Sequence, residues 1–301
     1  GTSGDGLYRF SKGKFEHLSV QQGLSDGFVR SLYEDGEGSL WIGTYRGGVN
    51  RMKDGTFTVY THSEGLSNDF VLSVCGDRKN NIWIGTYGGG LNLLSKNKIT
   101  SFTKRNGMAG NVITSLCCDK NNDVWIGTFG DGLSLYRNGR FRNFKSHTKG
   151  RNSFIISLFS ARKGRLWIGT EGGGVEMYLN DEFTTYTTLE GLSNNIVTSM
   201  CGSADGSMWI GTAGGLNRIR DGALTTYHKS DGLSSEYILS VFEDDEQTLW
   251  IGTDGGGLNR FKNGKFTVYT TKEGMFDDVV FTILDDDNGF LWMSSNKGVY
   301  R

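Results

Sequence analysis

The 301-residue sequence contains no proline, whereas an average chain of this length would have roughly fifteen. Its turns must therefore be built from glycine, of which there are 46, together with Asn, Asp and Ser. Slow isomerisation of bonds preceding proline is excluded as a folding step. The missing prolines also keep an engineered sequence open as an alternative to a natural one.

An excess of charge and long apolar runs are also lacking. The formal net charge is −1, from 32 basic and 33 acidic residues, so no bulk attraction to nucleic acid or anionic membranes is expected. No apolar run approaches the ~20 residues that a membrane-spanning helix needs, and no signal-peptide pattern is visible. We therefore expect a soluble chain that inserts into no membrane and binds no nucleic acid.

The seven tryptophans form a regular series. Successive members lie 41 or 42 residues apart: Trp41, Trp83, Trp125, Trp167, Trp209, Trp250 and Trp292. The first six each begin the tetrapeptide Trp-Ile-Gly-Thr, and the seventh begins Trp-Met-Ser-Ser. A period of about 40–50 residues with four short strands in each unit is typical of a β-propeller.

Each repeat divides into four short strands, A to D. In the first full repeat, strand A covers residues 29–33, strand B contains Trp41, and strands C and D cover 49–52 and 57–60. Connections this short favour antiparallel neighbours. A blade with two apolar faces buries both only by stacking around an axis. We predict a single all-β domain over residues 1–301, a seven-bladed β-propeller with four antiparallel strands per blade and the tryptophans in the core.

The two ends of the chain cover the same part of the repeat. Residues 1–9 and 294–301 both align with 43–51, which gives eight candidates for seven C strands. We predict a composite closing blade from about 278–301 plus 1–20. Residues 6–10 are expected to take the strand C position, because they are continuous with their own strand D, and the last residues would then be peripheral. Disordered ends are the alternative.

The repeat resembles the two-component-regulator propeller repeat over essentially the whole chain. Gly-Leu-Ser-Asn-Asp at 65–69 and Trp-Ile-Gly-Thr-Tyr-Gly-Gly-Gly-Leu-Asn at 83–92 carry the resemblance. It implies a non-enzymatic ligand-recognition propeller from the extracytoplasmic sensor region of a bacterial receptor. In that family an immunoglobulin-like connector, a transmembrane helix and a histidine kinase or diguanylate cyclase typically follow, and none of these is in the sequence.

Departures from the family pattern leave a second interpretation open. The family often places proline after Gly-Leu, and this sequence has none. The chain is therefore either an excised natural propeller, periplasmic in its parent receptor, or an engineered scaffold with no ligand of its own, cytoplasmic where it is expressed. A propeller lyase or hydrolase is the second alternative.

Variation inside the repeat indicates a candidate ligand face. The residue four positions after each tryptophan begins the B–C loop, on the same face as the D–A loops, and it varies strongly. We predict a ligand-binding face that includes Tyr45, Arg46, Tyr87, Phe129, Glu171, Asp254 and Asn296. Aromatic rings beside carboxylates and an arginine suit a small polar ligand such as an oligosaccharide. Loop drift without a ligand is the alternative. The residue eleven before each tryptophan, such as Arg30, also varies, either as channel lining or as ordinary packing.

The remaining reactive residues indicate no catalysis, cofactor or metal. Cys75, Cys117 and Cys201 occupy an apolar strand A position and Cys118 should face the other way. We expect core packing rather than a disulfide or metal site, with neighbouring blades too far apart for a bridge. The four histidines fall at the outer rim and do not converge: His17, His62, His147 and His228. The acidic stretch 285–289 is expected to be a hairpin turn rather than a calcium loop.

Overall fold

The computed structural model describes residues 2, 4–11, 14–144, 154–161, 164–285 and 291–300. The chain forms two compact units, unit 1 (Gly1–Ser146) and unit 2 (His147–Arg301). Each unit consists of antiparallel sheets whose strands are neighbours in chain order. No helix in the described part of the chain is long and apolar enough to cross a bilayer.

Unit 1 holds three complete four-stranded sheets, preceded by a hairpin. Blade 1 is β3–β6, blade 2 is β7–β10 and blade 3 is β11–β14, while β1 pairs with β2 in a two-stranded sheet. The strands are β1 (Leu7–Ser11), β2 (Lys14–Leu18), β3 (Val29–Glu34), β4 (Leu40–Thr44), β5 (Val49–Lys53), β6 (Thr56–Tyr60), β7 (Val71–Gly76), β8 (Ile82–Thr86), β9 (Leu91–Ser95), β10 (Lys98–Phe102), β11 (Ile113–Cys118), β12 (Val124–Thr128), β13 (Leu133–Arg137) and β14 (Arg140–Phe144).

Unit 2 repeats this plan. Blade 4 is β15–β18, blade 5 is β19–β22 and blade 6 is β23–β26, followed by the three-stranded sheet β27–β29. The strands are β15 (Ile155–Ser160), β16 (Leu166–Thr170), β17 (Val175–Leu179), β18 (Glu182–Tyr186), β19 (Val197–Gly202), β20 (Met208–Thr212), β21 (Gly215–Arg220), β22 (Ala223–Tyr227), β23 (Ile238–Glu243), β24 (Leu249–Thr253), β25 (Leu258–Lys262), β26 (Lys265–Tyr269), β27 (Thr282–Asp285), β28 (Leu291–Ser295) and β29 (Gly298–Tyr300).

One-turn 3-10 helices, which the sequence analysis missed, lie in the D–A connections. They cover Val20–Gln22, His62–Glu64, Lys104–Asn106, Lys229–Asp231 and Thr271–Glu273. In the second, the Thr61 hydroxyl accepts the Ser63 N–H, and the Glu64 carboxylate accepts the Thr61 N–H at 2.7 Å. This reciprocal cap has the sequence signature Thr-x-x-Glu, which could have revealed the turn.

The tryptophan strand lies where blades of the same unit meet. Five tryptophans are buried, whereas Trp250 and Trp292 are half-buried. The Trp83 ring of blade 2 lies 5.0 Å from the Tyr136 ring of blade 3. A Cβ at Gly43 would come within 2.7 Å of Val71 in blade 2, which explains glycine in the tetrapeptide. Burying each large side chain here contributes roughly 1.5–3 kcal/mol.

The final strand differs from the prediction for the chain ends. Residues Gly298–Tyr300 pair antiparallel with β28, with Ser295 opposite Gly298, so the C-terminal copy occupies the strand C position and the predicted preference for residues 6–10 is wrong. The physical reason is local: only Asn296 and Lys297 separate β28 from β29, and such a short loop closes at little entropic cost. A sheet shared by both ends stays a prediction.

Candidate functional site

Side-chain hydrogen bonds hold the two loops of the candidate face in every complete blade of unit 1. In blade 1 the Thr44 hydroxyl donates to the Gly48 carbonyl at 2.8 Å and thereby closes the B–C loop. The buried Asn50 side chain accepts the Ser25 N–H at 3.0 Å and ties the D–A loop to strand C. Blade 2 repeats both contacts, and in blade 3 a serine replaces the asparagine. The loops therefore form a rigid support.

A main-chain hydrogen bond joins the two loops to each other. The N–H of Tyr45 donates to the carbonyl of Phe28 at 3.0 Å, and that of Tyr87 donates to Phe70 at 2.9 Å. The Asp26 carboxylate also accepts the N–H groups of Phe28 at 2.9 Å and Arg46 at 2.7 Å. In blades 1 and 2 the residue four after the tryptophan is thus fixed beside the residue thirteen before it.

These contacts assemble a continuous aromatic row, which we define as Phe28, Tyr45, Phe70 and Tyr87. Ring centroids lie 6.0 Å apart for Phe28 and Tyr45, 4.1 Å for Tyr45 and Phe70, and 5.1 Å for Phe70 and Tyr87. Phe28 is 45% exposed and Tyr87 is 52% exposed. The row is therefore a run of rings with open faces rather than a core cluster.

Two guanidinium groups flank Tyr45, the second ring of the row. The Cζ atoms of Arg30 and Arg46 lie 5.5 and 5.2 Å from the Tyr45 ring centroid, within cation–π range. Arg30 sits at a β-bulge in strand A, since the pairing register with strand B shifts between Val29 and Ser31. Bulges re-aim side chains, which explains why this strand position reaches the loop face.

Phe129 continues the same arrangement toward blade 3. Val112 forms an isolated bridge with Tyr87, and its carbonyl accepts the Phe129 N–H at 3.0 Å. The Phe129 side chain is 48% exposed. Unit 1 thus brings together Tyr45, Arg46 and Tyr87 of the predicted face, with Phe129 beside them.

The other predicted residues lie in unit 2 and have a different character. Glu171 is exposed and donates its N–H to Phe154 at 2.9 Å, and Asp254 is exposed and donates its N–H to Tyr237 at 3.0 Å. Asn296 is an exposed turn residue between β28 and β29. Within unit 2 these three positions therefore supply acidic or amide groups.

Three members of the site were not among the predicted ligand-binding residues: Phe28, Phe70 and Arg30. A signal existed: the position thirteen before tryptophan carries Phe28, Phe70, Val112, Phe154, Ile196, Tyr237 and Val279. The main-chain bond between the loops brings this position beside the B–C loop, and the repeat pattern alone does not reveal that bond.

Acidic A–B turns anchor the tryptophan in blades 1, 2 and 6. The Asp35 carboxylate accepts the Trp41 indole N–H at 2.8 Å and the Ser39 N–H at 2.8 Å. Asp77 and Asp244 make the same kind of indole contact. Burial disfavours the charge of Asp35, but these hydrogen bonds outweigh it and lower its pKa. These turns are structural, while residues 286–289 of the acidic stretch lie outside the described residues.

The described histidines and cysteines form no metal-binding group of three or more. His17 contacts the Asp5 carbonyl at 2.6 Å, His62 the Leu66 carbonyl at 3.0 Å and His228 the Glu236 carboxylate at 3.0 Å. His147 lies outside the described residues. One cysteine expectation is wrong: the sulfur atoms of Cys75 and Cys118, in neighbouring blades, lie 2.7 Å apart.

Comparison with solved structures establishes the fold. The extracellular domain of the putative one component system BT4673 from B. thetaiotaomicron shares 23% identity, with a TM-score of 0.53 over 98% of this chain and 48% of that chain. Virginiamycin B lyase from Staphylococcus aureus shares 15%, with a TM-score of 0.66 over 88% and 91%. The WD40 β-propeller domain of Doa1 shares 15%, with a TM-score of 0.61 over 90% of each chain.

These similarities confirm the predicted all-β propeller class, and the observed sheets agree with seven blades. At such low identity they establish the fold alone. The chain spans about half the length of the BT4673 domain. A search of curated proteins finds no significant match.

The repeat itself identifies the family. Six stretches match the two component regulator propeller: residues 23–46, 65–88, 107–130, 149–172, 191–214 and 232–255. The stretches that begin at residues 23, 65, 107 and 232 start directly after a D–A helix, and all six stretches end in a B–C loop. Those four stretches therefore include both loops of the candidate face. The chain therefore belongs to the two component regulator propeller family.

Proposed function

We propose that this chain is a ligand-recognition domain without catalytic activity of its own, which binds a small polar, ring-bearing ligand on the aromatic row of unit 1. The observation that carries the proposal is the row itself: four consecutive rings, open at Phe28 and Tyr87, with two guanidinium groups at Tyr45. The packing of buried strands does not require exposed rings at these loop positions.

The chemistry of the row suits an oligosaccharide. Aromatic faces stack on the apolar C–H faces of sugar rings, and guanidinium groups donate planar pairs of hydrogen bonds to hydroxyl or carboxylate oxygens. Because the centroids follow one another at 4.1–6.0 Å, a ligand with more than one ring fits better than a single ring. The capped, hydrogen-bonded loops keep the rings in place before binding, which lowers the entropic cost.

We place this recognition domain in a larger extracytoplasmic receptor. Two considerations support this: family membership, and similarity to a domain described as extracellular, of which the chain spans about half. In such a receptor, binding at the loop face would bias the geometry that flanking signalling parts detect. Expression as an isolated scaffold without a ligand is the opposing proposal, which the experiment below addresses.

Catalysis is the second candidate because a lyase shares the propeller fold. Acid–base chemistry requires groups that converge on a substrate. The described histidines instead contact a backbone carbonyl or a single carboxylate: His17, His62 and His228. The aromatic row supplies recognition groups and no proton-transferring pair, so we favour binding.

A binding experiment with one variant tests the proposal. Glycan-array screening of the full chain would identify a ligand, and calorimetric titration would measure its affinity. Phe70→Ala interrupts the row at its centre, and we expect a roughly tenfold or greater weakening of binding, since an aromatic contact contributes about 0.5–1.5 kcal/mol beyond its buried area.

Tyr237→Ala is the matched control. Tyr237 occupies the same repeat position in blade 6, is 42% exposed and has the same main-chain contact, from Asp254. It should leave the affinity within about twofold of the original. Equal losses in both variants, or no ligand across broad glycan and small-molecule libraries, would contradict the proposed function and support a bare scaffold.

A further inference from the structure

Two cysteines from neighbouring blades of unit 1 are in direct contact. The Sγ atoms of Cys75 on β7 and Cys118 at the end of β11 lie 2.7 Å apart, although the residues are 43 positions apart in the chain. This separation is shorter than an ordinary contact and exceeds the ~2.05 Å of a disulfide bond by about 0.7 Å. Cys75 is buried and Cys118 is half-buried.

The positions of these two residues within the repeat bring them into contact. Within each unit, a strand A residue eight before a tryptophan faces the residue that follows its equivalent in the next blade. Tyr33 and Gly76 are such a pair. The Tyr33 hydroxyl lies so close to Gly76 that a Cβ at this position would collide with it. In unit 2 a Cβ at Gly202 would come within 2.8 Å of the Phe159 ring. Cys75 and Cys118 fill the same pair of positions with two medium-sized side chains.

We propose that Cys75 and Cys118 form a disulfide bond when the protein meets an oxidising environment, which covalently fastens blade 2 to blade 3. The other strand A cysteine of blade 3, Cys117, pairs with Trp125 in the ladder and, by the alternation of a strand, faces away from Cys75. The pairing is therefore specific to Cys118. This proposal does not depend on the ligand-binding role.

A small-molecule disulfide of the oxidised-glutathione class supplies the oxidant. The half-exposed thiolate of Cys118 attacks one sulfur of that disulfide, forms a mixed disulfide and releases the first small thiol. The Cys75 sulfur then attacks the Cys118 sulfur and displaces the second small thiol. Two protein thiols become one S–S bond, the small disulfide is reduced to two thiols, and the two protons leave on them.

Accessibility sets the order of these two steps. Burial raises the pKa of the Cys75 thiol well above its usual value, with the neighbouring Cys118 adding to the shift. The buried thiol is therefore a poor first nucleophile, whereas Cys118 is reachable from solvent. Once the mixed disulfide exists at Cys118, the contact distance makes the second step intramolecular.

Peptide mapping of the full chain tests the bond. After incubation with oxidised glutathione and trypsin digestion without reductant, peptide 54–78 should be linked to peptide 106–120, which contains both Cys117 and Cys118. Cys117→Ser should keep this link and Cys118→Ser should abolish it. A link that survives Cys118→Ser, or its absence from the original protein, would overturn the proposal.

Thermal melting supplies an independent readout. The bond closes a loop of about 44 residues, so the oxidised protein should melt about 4–8 °C higher than the reduced one. Cys118→Ser, an almost isosteric change, should melt like the reduced protein under both conditions, and Cys117→Ser should retain the difference. The same melting temperature in oxidised and reduced original protein, with the link present, would refute the fastening role.

Discussion

The B–C loops of unit 1 and unit 2 have the same main-chain arrangement and opposite surface chemistry. In unit 1 the N–H of Tyr45 donates to Phe28 at 3.0 Å, and in unit 2 the N–H of Asp254 donates to Tyr237 at 3.0 Å. Yet unit 1 carries an aromatic row at these positions, whereas Glu171 and Asp254 give unit 2 exposed carboxylates.

The two units show which groups of the repeat the fold needs and which side chains are free to vary. The bond between loops uses only main-chain atoms, so the side chain four after the tryptophan has no part in closing the loop. The tryptophan itself has no such freedom, because its ring fills the space between blades. Side chains that vary at positions where the backbone is constant are therefore where recognition can evolve.

The largest predicted effect follows from truncating the constant position. Trp83→Ala should lower the free energy of unfolding by about 3–5 kcal/mol, because it leaves a cavity beside Tyr136 and removes the indole donor of Asp77. Guanidinium denaturation, with midpoint and slope compared, measures this.

Tyr87→Ala, four residues further along the same strand and loop, is the control for Trp83→Ala. Its ring is 52% exposed, so we expect a loss within about 1 kcal/mol. A loss below 1 kcal/mol for Trp83→Ala, or equal losses for the two variants, would mean that the tryptophan is not part of the core between blades.

The repeat predicts the fold well because periodicity reports it directly. The spacing of tryptophans located strands A, C and D to within one residue in blade 1: strand C, predicted at 49–52, is Val49–Lys53. The two chain ends offered competing candidates for the last strand C, namely residues 6–10 and the C-terminal copy. The short turn before Gly298 explains why the C-terminal copy pairs with β28. The low entropic cost of closing this loop therefore outweighed the covalent continuity of residues 6–10 with their own strand D.

The site was only half predictable, for a geometric reason. Tyr45 and Tyr87 were found because they diverge beside a constant tryptophan, but Phe70, which connects them, lies on the other loop. The contact between Cys75 and Cys118 was missed in the same way. Strand alternation shows which way a side chain points and not which residue of the next blade meets it.

A smaller effect on stability is expected from lowering the pH. It arises at Asp205 in the A–B turn of blade 5 rather than at the aromatic row. Burial disfavours the charge of Asp205, but hydrogen bonds from Ser207 and Ser203 and the Arg218 guanidinium together lower its pKa far below the usual value. Because the unfolded chain binds the proton first, this stability is present above about pH 4 and is lost as the pH falls toward the folded-state pKa.

Asp205→Asn should therefore remove on the order of 1–2 kcal/mol of stability at pH 7 and flatten the fall in stability below pH 4. Asp221→Asn, whose side chain is 89% exposed, is the matched control and should change neither. An unaltered acid profile in Asp205→Asn would contradict the assignment.

The smallest predicted effect comes from introducing a unit 1 side chain at the equivalent position of unit 2. Glu171→Tyr places a ring beside Phe154, just as Tyr45 lies beside Phe28, and the main-chain bond to Phe154 at 2.9 Å needs no side chain. We expect the free energy of unfolding to stay within about 0.5 kcal/mol. Ile168→Tyr, three residues earlier on β16 and fully buried, should instead cost about 1–3 kcal/mol through overpacking. A loss above 1 kcal/mol for Glu171→Tyr would show that the loop side chain does contribute to the fold, and the aromatic row of unit 1 would then need no ligand to explain it.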